Sequence, residues 1–338
     1  MLGRNQLVAA GLSALGWTTS VLKLHRQTVF CFHSVTGADA TGYRSRMAVR
    51  VSFVVGLARS LRRAGVPVVA LPDAVRRLRQ GDTRPFVVLT FDDGYRDNYE
   101  ILYPAMRDHR IPFTIFVTTG LIDRELPMWW DAIDRMSFAG ESLVDPRLEA
   151  PDRFRGDLVQ LTDQFRHVTL DRQREYVARL ARRSSAFSEA GSYDMALTWP
   201  MLREMQASGL LTVGAHSCTH PLFRRLTREE VLAEMRASRW RIEDELNAPV
   251  PFFAYPFGQA DEIGVHGVWA AGQAGFDAAF TTEARPWRPD DAGRPLRLPR
   301  ILLSAKARKS GQAIAYMGGA PAAFKRVPHR DASRQAEP

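Results

Sequence analysis

The chain has 338 residues, 45% of them hydrophobic, and a net charge of +9. That length and apolar content fit one large barrel or two modest domains with a sizeable core, and exclude a small disulfide-stapled scaffold or a wholly disordered chain. The positive charge is nearly all arginine, with only Lys23, Lys306, Lys309 and Lys325 beside it, and it is spread along the chain with no docking motif, so no nucleic-acid partner is expected.

In chain order, residues 1–27 read as an N-terminal helix. Its mildly apolar run, 7–22, is shorter than the roughly 20 residues a spanning helix needs. Trp17, Thr18, Thr19 and Ser20 dilute it, and no clean small-x-small cleavage site follows. The segment is expected to lie on the folded body or on a membrane surface. The two cysteines, Cys31 and Cys218, read as buried free thiols that fit a reducing compartment. A cytoplasmic or peripheral membrane location is expected, with export by an atypical signal as the alternative.

Beyond residue 27, short β-rich runs alternate with helical ones. Residues 28–33 read as a strand and 51–64 as a helix, ended by Gly65 and blocked by Pro67. A strand over 68–71 and a helix over 72–80 follow. Residues 86–91 form a strongly apolar strand, suited to a parallel sheet buried on both faces. Helix 98–109 and strand 113–117 continue the pattern. From 121 to 198 the chain is polar, Arg-rich and helix-like, which reads as an insertion carried on one loop. The alternation resumes with helix 199–208, strand 211–215 and a helix opened by the capping box Thr227-Arg228-Glu229-Glu230. Strand 252–254, helix 263–274, strand 278–281 and a last strand over 298–302 complete it. Residues 28–327 thus form one parallel α/β body, and 328–338 a disordered tail.

His33, Asp92, Asp93, His216 and Tyr255 each fall at or just past the C-terminal end of a predicted strand. In a parallel barrel those ends converge on one mouth, where active sites are built. A plain turn would account for the Asp-Gly of Thr90-Phe91-Asp92-Asp93-Gly94. Two adjacent carboxylates ending a buried strand, however, cost desolvation free energy unless a cation or donors compensate. In His216-Ser217-Cys218-Thr219-His220 the i, i+4 spacing predicts two imidazoles on one face of a helical turn, spaced to grip one metal ion. Two imidazoles and one carboxylate make a three-ligand site with open positions. Zn²⁺ is the simplest occupant, and Fe(II), Co²⁺ or Mn²⁺ suit the same set.

Those two motifs resemble the first two motifs of the polysaccharide deacetylases, the NodB-homology group of carbohydrate esterase family 4. Ala254-Tyr255-Pro256-Phe257-Gly258 resembles the third motif. Phe30-Cys31-Phe32-His33-Ser34-Val35 resembles the segment that opens the poly-N-acetylglucosamine deacetylase branch. The resemblance runs over about residues 29–302. It implies a distorted (β/α)7-type barrel with a helical insertion, and metal-dependent removal of N-acetyl groups from a GlcNAc-containing carbohydrate. It also implies roles. Asp92 would be the general base, and Asp93, His216 and His220 the metal ligands. A backbone N–H near Tyr255 or Phe257 would stabilise the oxyanion. The family's C-terminal Leu-x-His has no counterpart here, which makes His33 the candidate general acid. The Arg that usually opens the third motif is replaced by Ala254, and Arg300 is expected to reach Asp92 from the last strand instead. Trp129 and Trp130, which open the insertion, are expected either to stack on a sugar or to pin the insertion to the barrel. Two other readings share these residues: an amidohydrolase acting on a small cyclic amide, and a non-catalytic carbohydrate-binding relative. The second leaves Asp92 without a role.

Overall fold

The computed structural model describes residues 26–37, 47–141, 164–303, 313, 314 and 317. The expected N-terminal helix and C-terminal tail lie outside the described residues, apart from Arg26 and Gln27 at the end of the former. No helix among the described residues is long and apolar enough to cross a membrane.

Seven parallel strands form the principal sheet. They are β1 (Thr28–Phe32), β4 (Val87–Asp93), β5 (Phe113–Val117), β6 (Leu211–Ala215), β7 (Phe252–Ala254), β8 (Ala278–Phe280) and β9 (Ile301–Leu302), in the order β8-β7-β6-β5-β4-β1-β9. Two short strands, β2 (Val35–Thr36) and β3 (Val49–Arg50), pair separately. The ring closes through the segment that carries β9. Leu298 donates its N–H to Ala279 O and accepts from Thr281 N, both at 2.8 Å, so it bridges to β8. Ile301 and Leu302 then pair with Phe30 and Cys31 of β1. The expected strand 298–302 is therefore a seam: its first residue joins one edge of the sheet and its last two join the other. Pro299 and Arg300 cross the gap between them.

Strand alternation sorts the side chains into two cores. Phe30, Val87, Leu89, Ile115, Val213 and Phe253 belong to one buried cluster, packed against helices such as Val51–Arg63 and Arg228–Leu246. Val29, Val88, Phe116, Phe252 and Phe280 belong to a second cluster on the other face, joined by Leu71, Val75 and Leu78 of the helix Leu71–Arg79. That second face turns polar toward the strand C-termini, where Thr90, Asp92 and Arg300 lie fully or almost fully buried. Gly214 is needed between the two. A Cβ there would sit 2.4 Å from the Phe116 ring.

Three expected elements differ. The strand over 68–71 is reduced to a single bridge, Val68 to Val87, because Leu71 already begins a helix whose first turn accommodates Pro72. The helix over 98–109 opens as a π-turn, Asn98–Leu102, before the α-helix Tyr103–His109. Pro104 has no N–H to return to an i−4 carbonyl, and a wider turn accommodates that loss. The helix over 263–274 is two short helices, Ala260–Ile263 and Gly267–Gln273, broken at Gly264. Gly264 has φ +68, and a Cβ there would meet the Arg224 backbone at 2.8 Å. Within 121–198 the described residues hold helices joined by turns and no strand, as expected, including Trp129–Phe138 and Leu170–Ala181.

Gly214→Ala is expected to destabilise the protein by roughly 1–3 kcal/mol through overpacking against Phe116. Urea denaturation checks this, and an unchanged midpoint would show that the Phe116 ring moves aside freely.

Candidate active site

The mouth of the barrel gathers the residues that the sequence scattered. Asp92, the last residue but one of β4, has 2% of its surface exposed, and Arg300 is fully buried. Arg300 grips Asp92 with two parallel bonds: Nη1 donates to Oδ1 and Nη2 to Oδ2, each at 2.7 Å. It also donates to Thr90 Oγ1 and to the Thr281 carbonyl. The Cys31 thiol lies 3.3 Å from Asp92 Oδ2. Burial on its own would raise the Asp92 carboxyl. The Arg300 charge, His216 and the Arg300 hydrogen bonds outweigh burial and hold it well below the usual carboxylate range. Asp92 is thus a carboxylate at neutral pH, oriented by a fork that allows little rotation.

Asp93, His216 and His220 converge beside it, with their ligand atoms all within 4.8 Å of one another. Asp93 Oδ1 is 3.5 Å from Nε2 of both histidines. Ligands bonded at about 2.1 Å to one tetrahedral centre stand about 3.4 Å apart, so the spacing is that of atoms sharing a cation. Buried Asp93 Oδ1 has no hydrogen-bond partner among the described residues, as an oxygen aimed at a metal would not. His216 turns its Nδ1 to the Ala254 carbonyl at 2.7 Å, which leaves Nε2 facing Asp93. Burial pushes His220 down to about 4, so it presents a neutral imidazole. The donor set fits a divalent cation.

The histidine pair is not on a helical turn. Residues 216–220 form an irregular loop in which Ser217 has φ 67 and His220 φ 53. The i, i+4 spacing brings the imidazoles together because neighbouring elements hold the loop. The Glu234 carboxylate accepts from the N–H groups of Cys218 and Thr219 and from the Thr219 hydroxyl. Thr119 and Gly120 donate to the carbonyls of Ser217 and Cys218.

His33 follows β1 and stands close enough to Asp92 and Cys31 to form a second cluster of potential ligand atoms. Its backbone is fixed by residues with no obvious sequence signal. Asn98 donates to the His33 carbonyl at 3.0 Å. Asp97 accepts from the Ser34 hydroxyl, the Val35 N–H and Asn98 Nδ2. Burial raises the Asp97 carboxyl to about 6, against the three hydrogen bonds that would lower it.

Two expected substrate contacts are corrected. Tyr255 cannot supply the oxyanion donor: its N–H goes to the Phe280 carbonyl, and its buried hydroxyl goes to Leu296. The Phe257 N–H makes no hydrogen bond to a described residue, and Phe257 stands at φ 61 with its ring 4.8 Å from that of His220. Trp129 is buried in the core of the insertion, 4.7 Å from the Phe165 ring, and does not offer a face to a sugar. Trp130 is at the site, its ring 5.1 Å from that of His220.

Two measurements follow from these environments. In the folded chain Asp97 holds its proton up to about pH 6, whereas an ordinary aspartate loses it near 3.8. The proton's contribution to stability is therefore complete below about pH 4 and disappears as the pH rises to about 6, by on the order of 2–3 kcal/mol. Asp97→Asn keeps the hydrogen-bonding shape and is expected to flatten that part of the stability–pH curve; an unchanged slope would locate the titration elsewhere. Arg300→Met leaves Asp92 charged and unpaired in the interior and is expected to cost about 3–5 kcal/mol at neutral pH in chemical denaturation.

The polysaccharide deacetylase family profile matches residues 79–145 and 166–279. No curated protein matches the sequence. Among solved structures the fold is similar to the Streptococcus pyogenes deacetylase PplD in complex with acetate, at 16% identity and a TM-score of 0.58, covering 86% of this chain and 98% of that one. IcaB from Ammonifex degensii is similar at 22% identity and a TM-score of 0.57, covering 87% and 97%. A de-N-acetylase from Aggregatibacter actinomycetemcomitans is similar at 15% identity and a TM-score of 0.57, covering 86% and 99%. The profile takes in β4 with its paired aspartates, the histidine loop and the strand that precedes Tyr255, and on that match the chain belongs to the polysaccharide deacetylase family.

Proposed function

We propose that the protein hydrolyses the acetamido group of GlcNAc units in a polysaccharide or oligosaccharide of the cell envelope or exopolysaccharide, using one divalent cation held by Asp93, His216 and His220. The observation that carries this reading is the Arg300-clamped carboxylate of Asp92 standing beside that three-ligand set. A cation bound there supplies Lewis acidity, which polarises the acetyl carbonyl and acidifies a water; Zn²⁺ is the simplest candidate.

The remaining chemistry belongs to the chain. Asp92, kept ionised by Arg300, accepts a proton from the attacking water as its oxygen bonds to the carbonyl carbon. The Phe257 N–H donates to the carbonyl oxygen as negative charge builds on it. His33 delivers a proton to the sugar nitrogen as the C–N bond breaks, so that acetate and a free amine leave. Arg300 performs the service that the third motif's Arg gives elsewhere in the family, from a different strand. The de-N-acetylase named among the similar folds, and the acetate in another, are consistent with this chemistry.

Acetate release from short GlcNAc oligomers of several linkages tests the proposal. Activity is expected to vanish with chelator and return with Zn²⁺. Asp92→Asn should lose at least about 10²-fold in kcat while still binding metal. Undiminished acetate release by that variant would remove Asp92 from the role of base. Release from O-acetylated but not N-acetylated sugars would redirect the substrate.

A further inference from the structure

His216 and His220 are oriented by different means. His216 has a hydrogen-bonded support, Nδ1 to the Ala254 carbonyl. No described residue bonds His220 Nδ1, although that atom is buried. His220 also stands at φ 53, a backbone conformation that a side chain does not favour. A metal-binding histidine ordinarily has its second ring nitrogen held by an acceptor, and that bond sets the ring's direction. Here the ring is flanked by aromatic rings instead: Phe257 meets it in a T-shaped arrangement at 4.8 Å, and the Trp130 indole is tilted against it at 5.1 Å.

Trp130 is itself fixed. Its indole N–H donates to the Tyr95 hydroxyl at 2.7 Å, and Tyr95 is 2% exposed. Tyr95 lies two residues after Asp93, so the bond ties the start of the insertion to the turn that directly follows the carboxylate ligand's strand. The end of the insertion is tied to the same turn. Leu197 donates to the Gly94 carbonyl, and Arg96 donates to the Met195 carbonyl. Another insertion residue, Arg166, holds its guanidinium 5.4 Å from the centre of the Phe257 ring and pairs with Glu262.

We infer that Trp130 is a positioning residue for the metal ligand His220, so that the insertion forms part of the metal site and is more than a cover for substrate. The inference rests on the metal reading proposed above. Trp130 packs against an imidazole whose Nδ1 has no hydrogen-bonded support among the described residues, and its Tyr95 bond stops the indole from swinging away. Without it His220 keeps its place in the chain but loses the orientation that aims Nε2 at the cation.

The test is metal affinity of the full chain, stripped with chelator and titrated with Zn²⁺ or Co²⁺ against a chromophoric competitor. Trp130→Ala is expected to weaken binding about 10–100-fold, the usual effect of losing a ligand's support. It should also alter the Co²⁺ visible spectrum. Trp130→Phe keeps an aromatic face and should recover most of the affinity. Tyr95→Phe removes only the hydroxyl and should weaken binding in the same direction by a smaller factor, which carries the test if Trp130→Ala does not fold. A folded Trp130→Ala with wild-type metal affinity and spectrum, and only a raised KM, would overturn the inference and make Trp130 a sugar platform. Failure of the underlying metal reading looks different: His220→Ala would then bind metal as tightly as the wild type.

Discussion

The ion pair between Arg300 and Asp92 ties the fold to its chemistry. Both groups are removed from water, and either one alone would be costly to bury. Together they satisfy each other with two short bonds, while Thr90 and the Thr281 carbonyl take further guanidinium hydrogens. Arg300 sits where the barrel closes, between the bridge to β8 and the pairing with β1. The segment that shuts the ring therefore also sets the charge and direction of Asp92.

Around that pair the mouth is built from loops held by buried polar groups. Glu234, on a long helix behind the sheet, gathers the histidine loop with one carboxylate. Asp97 and Asn98 hold the loop that carries His33. These contacts let Ser217 and His220 remain in left-handed backbone conformations that short polar segments would not keep unaided. Precision at the centre thus comes from residues one step removed, on elements whose own cores are apolar.

Much of this arrangement was readable from the chain, and the boundary of what was readable has physical causes. β4 and β5 are visible as apolar runs because strands buried on both faces admit few polar residues until their ends. The rim is visible for the same reason: Asp92, Asp93 and His216 interrupt apolar strands where a parallel fold exposes them to a common space. The loop conformation of 216–220 was not visible, because i, i+4 spacing suits a helical turn as well as a loop clamped by a distant glutamate. Nothing near Glu234 marks it, since its partners are 15 and 16 residues away. The exclusion of Tyr255 depended on its register against Phe280, which no local pattern encodes. Trp129 and Trp130 look alike in sequence and separate only because helix geometry turns one into the insertion and the other toward His220.

The seam has a temporal side. Every strand of the ring except β9 is complete by Phe280, and the residues at 92, 93, 216 and 220 are by then all in the chain. Arg300 arrives later, on the segment that must find both sheet edges at once, a contact with a sequence separation of 208 from Asp92. Such distant pairings form late and slowly. As the polypeptide leaves the ribosome, the Asp92 carboxylate therefore awaits its counter-ion until the closing segment is in place.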